Sequence, residues 1–398
     1  MQGVRGVPIP EREEDFAADA GELFFDLVFV FAFSQLVSHL VSHHTWAGAA
    51  EFVLLFTMVW LPWTQFTWSA NAVAGNSRPV RLLFLVATVA SIPMAASVVG
   101  AFAAGGAAFA LSASVILAMG LFTMISGLGD EPVVRASIIR YSIPNWIAIA
   151  LMVAGGFLPF TPRVILWSVA MVTVIAGTIG AGQSEWLVRP GHFAERHGLI
   201  VIVALGEVIV ALGLPLTNAL ADSEGVAPAN LVALVAAGVF AGLLWWGYFD
   251  RPLPALEHRH EALEGGHLRG RFARDVYTYA HYPLVAGVIL STAGLKTITL
   301  HPLRPIELPS LIHLGAGLVL YLLGVVLAVV RAFGALAVER LVAAGVLMAV
   351  IAAVSRLDGI LVLVAVDVVL LAMLMVEHHR VENLARTVPI SRVTRARS

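Results

Sequence analysis

The chain has 398 residues, of which 59% are hydrophobic and only 13% are charged, and its mean hydropathy is +0.88. Soluble domains carry about 25% charged residues, so this composition excludes a soluble globular protein. The formal net charge of -2 indicates no nucleic-acid partner, and the lack of cysteine excludes disulfides, thiolate nucleophiles and cysteine-ligated metals. The composition therefore predicts an all-α, polytopic integral membrane protein whose main partner is the lipid bilayer.

Twelve apolar runs are long enough to cross a bilayer, because a helix that rises 1.5 Å per residue needs about 20 residues to do so. They cover residues 22–42, 47–69, 79–100, 105–128, 133–158, 163–183, 193–216, 228–250, 272–295, 308–331, 335–354 and 357–377. Segments rich in glycine, proline, asparagine and charged residues separate them. The pattern predicts a bundle of about twelve transmembrane helices.

Lysine and arginine are distributed unequally between the two sides of this predicted bundle. With a cytoplasmic amino terminus, 20 of the 24 Lys and Arg residues lie on the inner side. Cytoplasmic loops are enriched in these residues. The distribution predicts a multi-pass protein of the cell's inner (plasma) membrane with both termini in the cytoplasm. The long inner segment 251–271 is expected to contain a short interfacial helix.

The first and seventh spans begin alike, since Glu22 and Glu195 each lead a valine-rich apolar run, 173 residues apart. Six spans per unit restores the same orientation, so the comparison predicts two parallel six-helix repeats. In this register Ser34 corresponds to Glu207. Transporters often place a site at such a repeat interface. The predicted organisation is a polar tail (1–20), a first half (21–185), a second half (186–379) and a basic tail (380–398).

Two carboxylates stand one helical turn apart near the start of the first span, Glu22 and Asp26. Ionisable residues within membrane spans are costly to bury and usually pair inside the bundle. The structural alternative is stabilisation by the helix dipole at the helix amino terminus. Asp26 lies a turn deeper and needs a partner, for which Arg196, Arg140 and Arg274 are the candidates.

The stretch "HFAERHGLIVIVALGE" opens the seventh span with His192, Glu195 and Arg196 and ends on Glu207. Glu207 is eleven residues beyond Arg196 and falls on nearly the same helix face. It lies near the middle of the membrane, where burial favours the neutral acid and suits it to carry a proton. The structural alternative is a hydrogen bond that only holds a neighbouring helix.

A third polar group occurs in "RDVYTYAHYPL" at the start of the ninth span. With 3.6 residues per turn, Asp275, Tyr279 and Tyr282 would share one face, and His281 another. Pro283 has no N–H to donate to the carbonyl of Tyr279, which opens the backbone ladder there. The pattern predicts a buried polar cavity, and a belt of interfacial tyrosines is the alternative.

We predict no metal and no cofactor, although His39, His43 and His44 keep haem as an alternative. Intramembrane haem commonly takes axial histidines from facing helices, and His39 and His281 are conceivable ligands. They lie at opposite ends of their spans, however, and the histidines of segment 192–197 lack the spacing of zinc ligands. No phosphate loop, nucleophile elbow or dinucleotide fingerprint occurs, so no catalytic residue is identified.

Several motifs together resemble the bacterial low-temperature-requirement A (LtrA) family. They are "ELFFDLVFVFAFSQL", "WTQFTWSAN", "HFAERHGLIVIVALGEVIVALG", "WWGYFD" and "YTYAHYPLVAGVIL", and the resemblance runs from about Gly21 to the twelfth span. It implies an integral membrane protein of bacteria, linked by name to growth in the cold, and implies no settled activity. The segment "NAVAGNSRP" carries no acidic residue, unlike many relatives.

The sequence is compatible with three functions. The favoured one is a transporter or proton-coupled carrier with an intramembrane carboxylate. The second is a membrane-embedded enzyme for a lipid or lipid-linked substrate, whose acids, bases and phosphate clamp would come from the inner-side polar residues. The third is a non-catalytic sensor or scaffold. The partner is an unknown small molecule, ion or lipid, and a homo-oligomer is also left open.

Overall fold

A computed structural model gives the structure of the protein and describes residues 18–71, 73, 77–126, 132–181, 186, 188–221 and 227–387. These residues are helical almost throughout. The helices are α1 (Ala20–Ser42), α2 (Trp46–Ala70), α3 (Arg78–Ala96), α4 (Gly106–Ser126), α5 (Pro132–Gly156), α6 (Phe160–Ala181), α7 (Pro190–Ala221), α8 (Pro228–Phe249), α9 (Pro252–Glu261), α10 (Gly266–Phe272), α11 (His281–Leu300), α12 (Leu308–Phe333), α13 (Val338–Val354) and α14 (Gly359–Thr387). A π-helical segment, Ala273–Ala280, joins α10 to α11.

Eleven helices in the described part of the chain are long and apolar enough to cross a membrane, which confirms eleven of the predicted spans. The remaining span, predicted over 335–354, forms α13, which has 17 residues. α13 is shorter than the others but packs against both α12 and α14, so it completes the bundle. The protein is therefore an all-α, multi-pass membrane bundle, as the composition predicts.

The bundle has a Glu22 end, where α1 and α7 begin, and a His43 end, where the loop between α1 and α2 lies. The long segment 251–271 lies at the Glu22 end and forms α9, the short helix expected there. The predicted tails fall mostly outside the described residues, and α14 continues to Thr387, past the predicted boundary at 380.

Three helices that run in the same direction, α1, α7 and α11, pack against one another at the centre of the bundle. The neighbours of the helices also correspond between the two halves. α1 contacts α2 and α3 as α7 contacts α8 and α11, and the series α3–α4–α5–α6 corresponds to α11–α12–α13–α14. The division into two repeats remains a prediction, which this correspondence supports.

The ninth predicted span is not one regular helix, because its first part is the π-helical segment. Pro283 leaves the carbonyl of Tyr279 without an i−4 donor, and a wider turn is one way to accommodate that gap. At the same place Nδ1 of His281 donates to the carbonyl of Val276, five residues back, at 2.9 Å. Tyr279 still lies beside Asp275, but Tyr282 leaves the predicted shared face and meets the hydroxyl of Thr57 in α2 at 2.7 Å, because the prediction assumed 3.6 residues per turn.

α11 and α12 approach each other through glycines, the residues that allow close contact between membrane helices. A β-carbon on Gly287 would lie 2.4 Å from the backbone nitrogen of Tyr321, and one on Gly317 would lie 2.4 Å from the backbone nitrogen of Ser291. At both places the added β-carbon would meet backbone atoms of the facing helix, which cannot move aside as a flexible side chain could. The small residues at these positions hold α11 and α12 together.

Substitution of Gly317 by alanine is expected to destabilise the protein by about 1–3 kcal/mol, because α11 and α12 must separate to admit the methyl group. The matched control is Gly345→Ala in α13, where a β-carbon would meet nothing within 4 Å. That change should be neutral or stabilising, since alanine is the better helix former. Thermal unfolding followed by tryptophan fluorescence in detergent measures both. Equal melting temperatures for the two variants would contradict the packing argument.

Candidate functional site

α1 begins at a capping box formed by Asp19 and Glu22. The Gly21 N–H donates to the Asp19 carboxylate at 3.0 Å, and Nη2 of Arg81 in α3 donates to its Oδ2 at 2.8 Å. Burial acts to raise the pKa of Asp19, but the hydrogen bonds from Arg81 and Gly21, with the Arg81 charge, outweigh it and lower that pKa. The cap fixes the first turn of α1 and with it the position of Glu22.

Glu22 uses its two oxygens differently. Oε1 faces the Asp19 backbone N–H at 3.5 Å, as part of the cap. Oε2 accepts a hydrogen bond from Nε2 of His192 in α7 at 2.9 Å. The Glu22 side chain is only 3% exposed. Helix capping therefore accounts for one oxygen, and a contact between α1 and α7 accounts for the other.

Asp26 forms a buried ion pair with Arg196, one helical turn deeper than Glu22. Nη2 of Arg196 donates to Oδ1 of Asp26 at 2.9 Å, and Nη1 lies 2.9 Å from Oδ2. Nε1 of Trp63 in α2 donates to the same Oδ1 at 2.8 Å, and the guanidinium group lies over the Trp63 ring. Arg196 is 0% exposed. Of the three arginines expected as partners for Asp26, the structure pairs it with Arg196.

Hydrogen bonds on both sides fix the orientation of the His192 ring. The backbone N–H of Arg189 donates to Oδ1 of Asn71, so the Asn71 amide nitrogen faces Nδ1 of His192, at 3.2 Å. Nε2 of His192 then points to Glu22. Glu22, Asp26, His192 and Arg196 together form the Glu22–Arg196 cluster, in which each side chain contacts another member.

Glu207 lies in α7, eleven residues beyond Arg196 and about 16 Å along the helix axis. Its side chain is 0% exposed. Neither carboxylate oxygen makes a hydrogen bond to the described residues, and no cation there comes within ion-pair distance. The hydroxyl of Ser34 in α1, its equivalent in the repeat register, is close enough to act as a hydrogen-bond donor after a small movement, and the charge of Lys296 in α11 attracts the carboxylate from a greater distance.

A layer of histidine and aromatic rings packs against the Glu22–Arg196 cluster. The His197 ring lies 5.0 Å from Trp63, 5.1 Å from Tyr277 and 5.2 Å from His281, centroid to centroid. Tyr248 donates to Nε2 of His281 at 2.6 Å. Nε2 of His197 has no hydrogen-bond partner among the described residues. These groups extend the buried polar region beside Arg196, and Glu207 lies ten residues beyond His197 along α7.

A narrow groove opens at the Glu22 end between the two halves of the chain. Its lining is aromatic, with one charged group, and consists of Trp68, Met124, Tyr141, Thr178, Trp186, Gly270 and Arg274. The Trp68 ring packs against Phe193, and Phe193 stacks on His197. Two aromatic side chains therefore separate the groove from the buried histidines.

The remaining candidates of the sequence lie away from the Glu22–Arg196 cluster. Glu195 is exposed and accepts a hydrogen bond from the Ala18 N–H. Arg140 is exposed on α5 and forms no ion pair within the described part of the chain. Asp275 pairs with Arg274 and Arg331 at the Glu22 end.

The side chains of Tyr279 and His281 point in different directions. Tyr279 lies beside Arg274 and Thr178, at the groove. His281 points inward, and both of its ring nitrogens are hydrogen-bonded, so it offers none to a haem iron. The haem alternative therefore does not fit His281.

Asn71 and Tyr248 are site residues to which the sequence analysis gave no role, because their partners are more than 30 residues distant along the chain. Both residues lie in motifs of the family resemblance, "WTQFTWSAN" and "WWGYFD", and these motifs could have drawn attention to them.

The described spans and the buried charges between them define a multi-pass, all-α membrane protein with polar groups inside its bundle. The chain belongs to the family of bacterial low temperature requirement A proteins (LtrA), whose family model matches residues 17–375. An uncharacterized protein of Rhizobium meliloti (strain 1021) is 32% identical over 304 residues, which cover 73% of this chain and 72% of that protein. No solved structure matches the chain.

Substitution of Asp26 by asparagine is expected to destabilise the protein by about 3–5 kcal/mol, because it leaves the Arg196 guanidinium buried with too little compensating charge. The double variant Asp26→Leu, Arg196→Met should recover most of that loss, since both charges are removed together. Asp275→Asn should cost less than Asp26→Asn, because Asp275 is 17% exposed and one of its two arginines, Arg331, is 42% exposed, so water still reaches the charges. Thermal unfolding in detergent compares the variants. A double variant no more stable than Asp26→Asn would show that the ion pair is not the source of the effect.

Proposed function

We propose that this protein is a transporter, specifically a proton-coupled carrier in which Glu207 binds the transported proton. The observation that carries the proposal is that Glu207 is fully buried and neither of its oxygens is hydrogen-bonded to the described residues. An unpaired carboxylate is not stable in an apolar interior, so the side chain is a neutral acid when the bundle is closed. It loses its proton only when water or a cation reaches it.

The Glu22–Arg196 cluster lies near the start of α7 and supplies two further buried carboxylates, Glu22 and Asp26, on the same helix interface as Glu207. His197 directly follows Arg196 and lies about 15 Å from Glu207 along α7. A route for the proton from Glu207 to the Glu22 end would follow the interface of α1, α7 and α11, and water would have to bridge this distance.

The backbone at the start of α11 supports a conformational role. π-helical turns occur frequently at functional sites, and this segment includes Tyr277 and directly precedes His281. The groove beside Trp68 offers the substrate an opening between the two halves. We also propose that the Glu22 end faces the cytoplasm of a bacterium and that the membrane is the plasma membrane, on the basis of the arginine and lysine distribution.

The two other functions have less support. An enzyme would need its acid and base within reach of a substrate. In the Glu22–Arg196 cluster every side chain is at most 4% exposed and is engaged with another member. A scaffold would need no unpaired acid in its interior, and Glu207 is costly there without a function.

N,N′-dicyclohexylcarbodiimide reacts with protonated carboxyl groups in apolar surroundings, and it is expected to modify Glu207. Modification should decrease as the pH is raised, because the reactive species is the neutral acid. Peptide mass spectrometry of the full chain in detergent locates the adduct, and Glu207→Gln should lack it. Exposed Glu264 is the internal control and should remain unmodified. An unmodified Glu207 at mildly acidic pH would exclude a buried neutral acid.

Transport itself is measured in liposomes that contain the purified protein and a pH-sensitive dye. A panel of sugars, amino acids, organic acids and inorganic cations is added outside, and we expect at least one to change the internal pH with the wild type. Glu207→Gln should abolish that change, and Glu264→Gln should leave it intact. If no panel member moves protons, or if Glu207→Gln transports normally, the proposal fails.

A further inference from the structure

His39, His43 and Glu51 come together at the His43 end of the bundle, far from the Glu22–Arg196 cluster. One ligand atom from each lies within 4.8 Å of the others. Nε2 of His39 is 3.2 Å from Oε2 of Glu51. Two ligands of a tetrahedral zinc ion, each about 2.0 Å from the metal, are separated by about 3.3 Å. The distance between His39 and Glu51 thus fits a shared metal ion, and the ligand atom of His43 lies within 4.8 Å of both.

The histidine ring nitrogens are available to bind a metal ion. His39 is 1% exposed, and neither of its ring nitrogens meets hydrogen-bond geometry with the described residues. Nδ1 of His43 donates to the carbonyl of His39 at 3.1 Å, which leaves Nε2 with a free lone pair. A backbone carbonyl that holds one nitrogen of a histidine in this way is the usual second contact of a metal-bound imidazole.

The loop between α1 and α2 is built tightly around these side chains. A β-carbon on Gly48 would lie 2.2 Å from the backbone oxygen of His43, so only glycine fits there. Thr45 caps α2 and accepts a hydrogen bond from the Gly48 N–H at 3.0 Å. Glu51 lies one turn further along α2. The close loop fixes the distance between the two histidines of α1 and the carboxylate of α2.

We infer that His39, His43 and Glu51 bind one divalent transition-metal cation, with Zn²⁺ as the best-fitting ion. Two imidazoles and one carboxylate form an established zinc ligand set that keeps a coordination position open. His43 is exposed, so that position faces the solvent. The inference departs from the expectation of no metal, and it does not depend on the proposed transport activity.

The test uses the full chain without a histidine tag, stripped with EDTA in detergent and titrated with ZnCl2 by calorimetry. We expect about one tight site per chain, with the bound zinc retained through gel filtration and counted by elemental analysis. His43→Ala and Glu51→Gln should each weaken binding by at least about tenfold, because each removes one of three ligands. Co²⁺ should give the visible absorption of a four-coordinate site, which both variants should lose.

His301→Ala is the matched control, because His301 is an exposed histidine at the same end of the bundle and outside the cluster. It should bind zinc as the wild type does. His43 is exposed, so its substitution leaves the core intact and keeps the result interpretable if His39→Ala fails to fold. The inference is overturned if the wild type binds no zinc, or if His43→Ala and Glu51→Gln bind it unchanged.

Discussion

The ion pair between Asp26 and Arg196 ties α1 to α7 inside a medium that solvates neither charge. Because a buried charge without a partner is very unfavourable, the pair sets the register of the two helices along their common axis. Trp63 adds α2 to the same contact through its hydrogen bond to Asp26. Glu22 lies four residues before Asp26, and His192 lies four residues before Arg196. Glu22 and His192 therefore meet one helical turn away from the ion pair.

The buried acidic residues on α1 and α7 differ in the partners that surround them. Asp26 and Glu22 face a guanidinium group and an imidazole, so their charge is compensated in large part. Glu207 on the same helix α7 has no such partner in the described structure. The arrangement separates a structural acid–base contact from the acid that is proposed to exchange a proton. That separation is the physical basis for the proposed carrier.

α1 carries polar side chains along its whole length, which is unusual for a helix in a bilayer. Glu22 and Asp26 lie in its first turns, Ser34 lies opposite Glu207, and His39 lies at its other end. All of them face other helices rather than lipid. One helix therefore contributes to the buried charges, to the central acid and to the inferred metal site, and its other face carries the exposed apolar residues that lipid requires.

The sequence by itself determined the membrane class, eleven of the spans and the helical-turn spacing that puts Glu22 with Asp26 and His192 with Arg196, because hydropathy and the helical period are local properties. It also left three arginines as possible partners of Asp26. Only the tertiary structure decided for Arg196, brought Glu51 to His39 and placed Tyr282 against Thr57. Those outcomes depend on how helices pack and on a π-helical segment, which are set by contacts between residues distant in the chain.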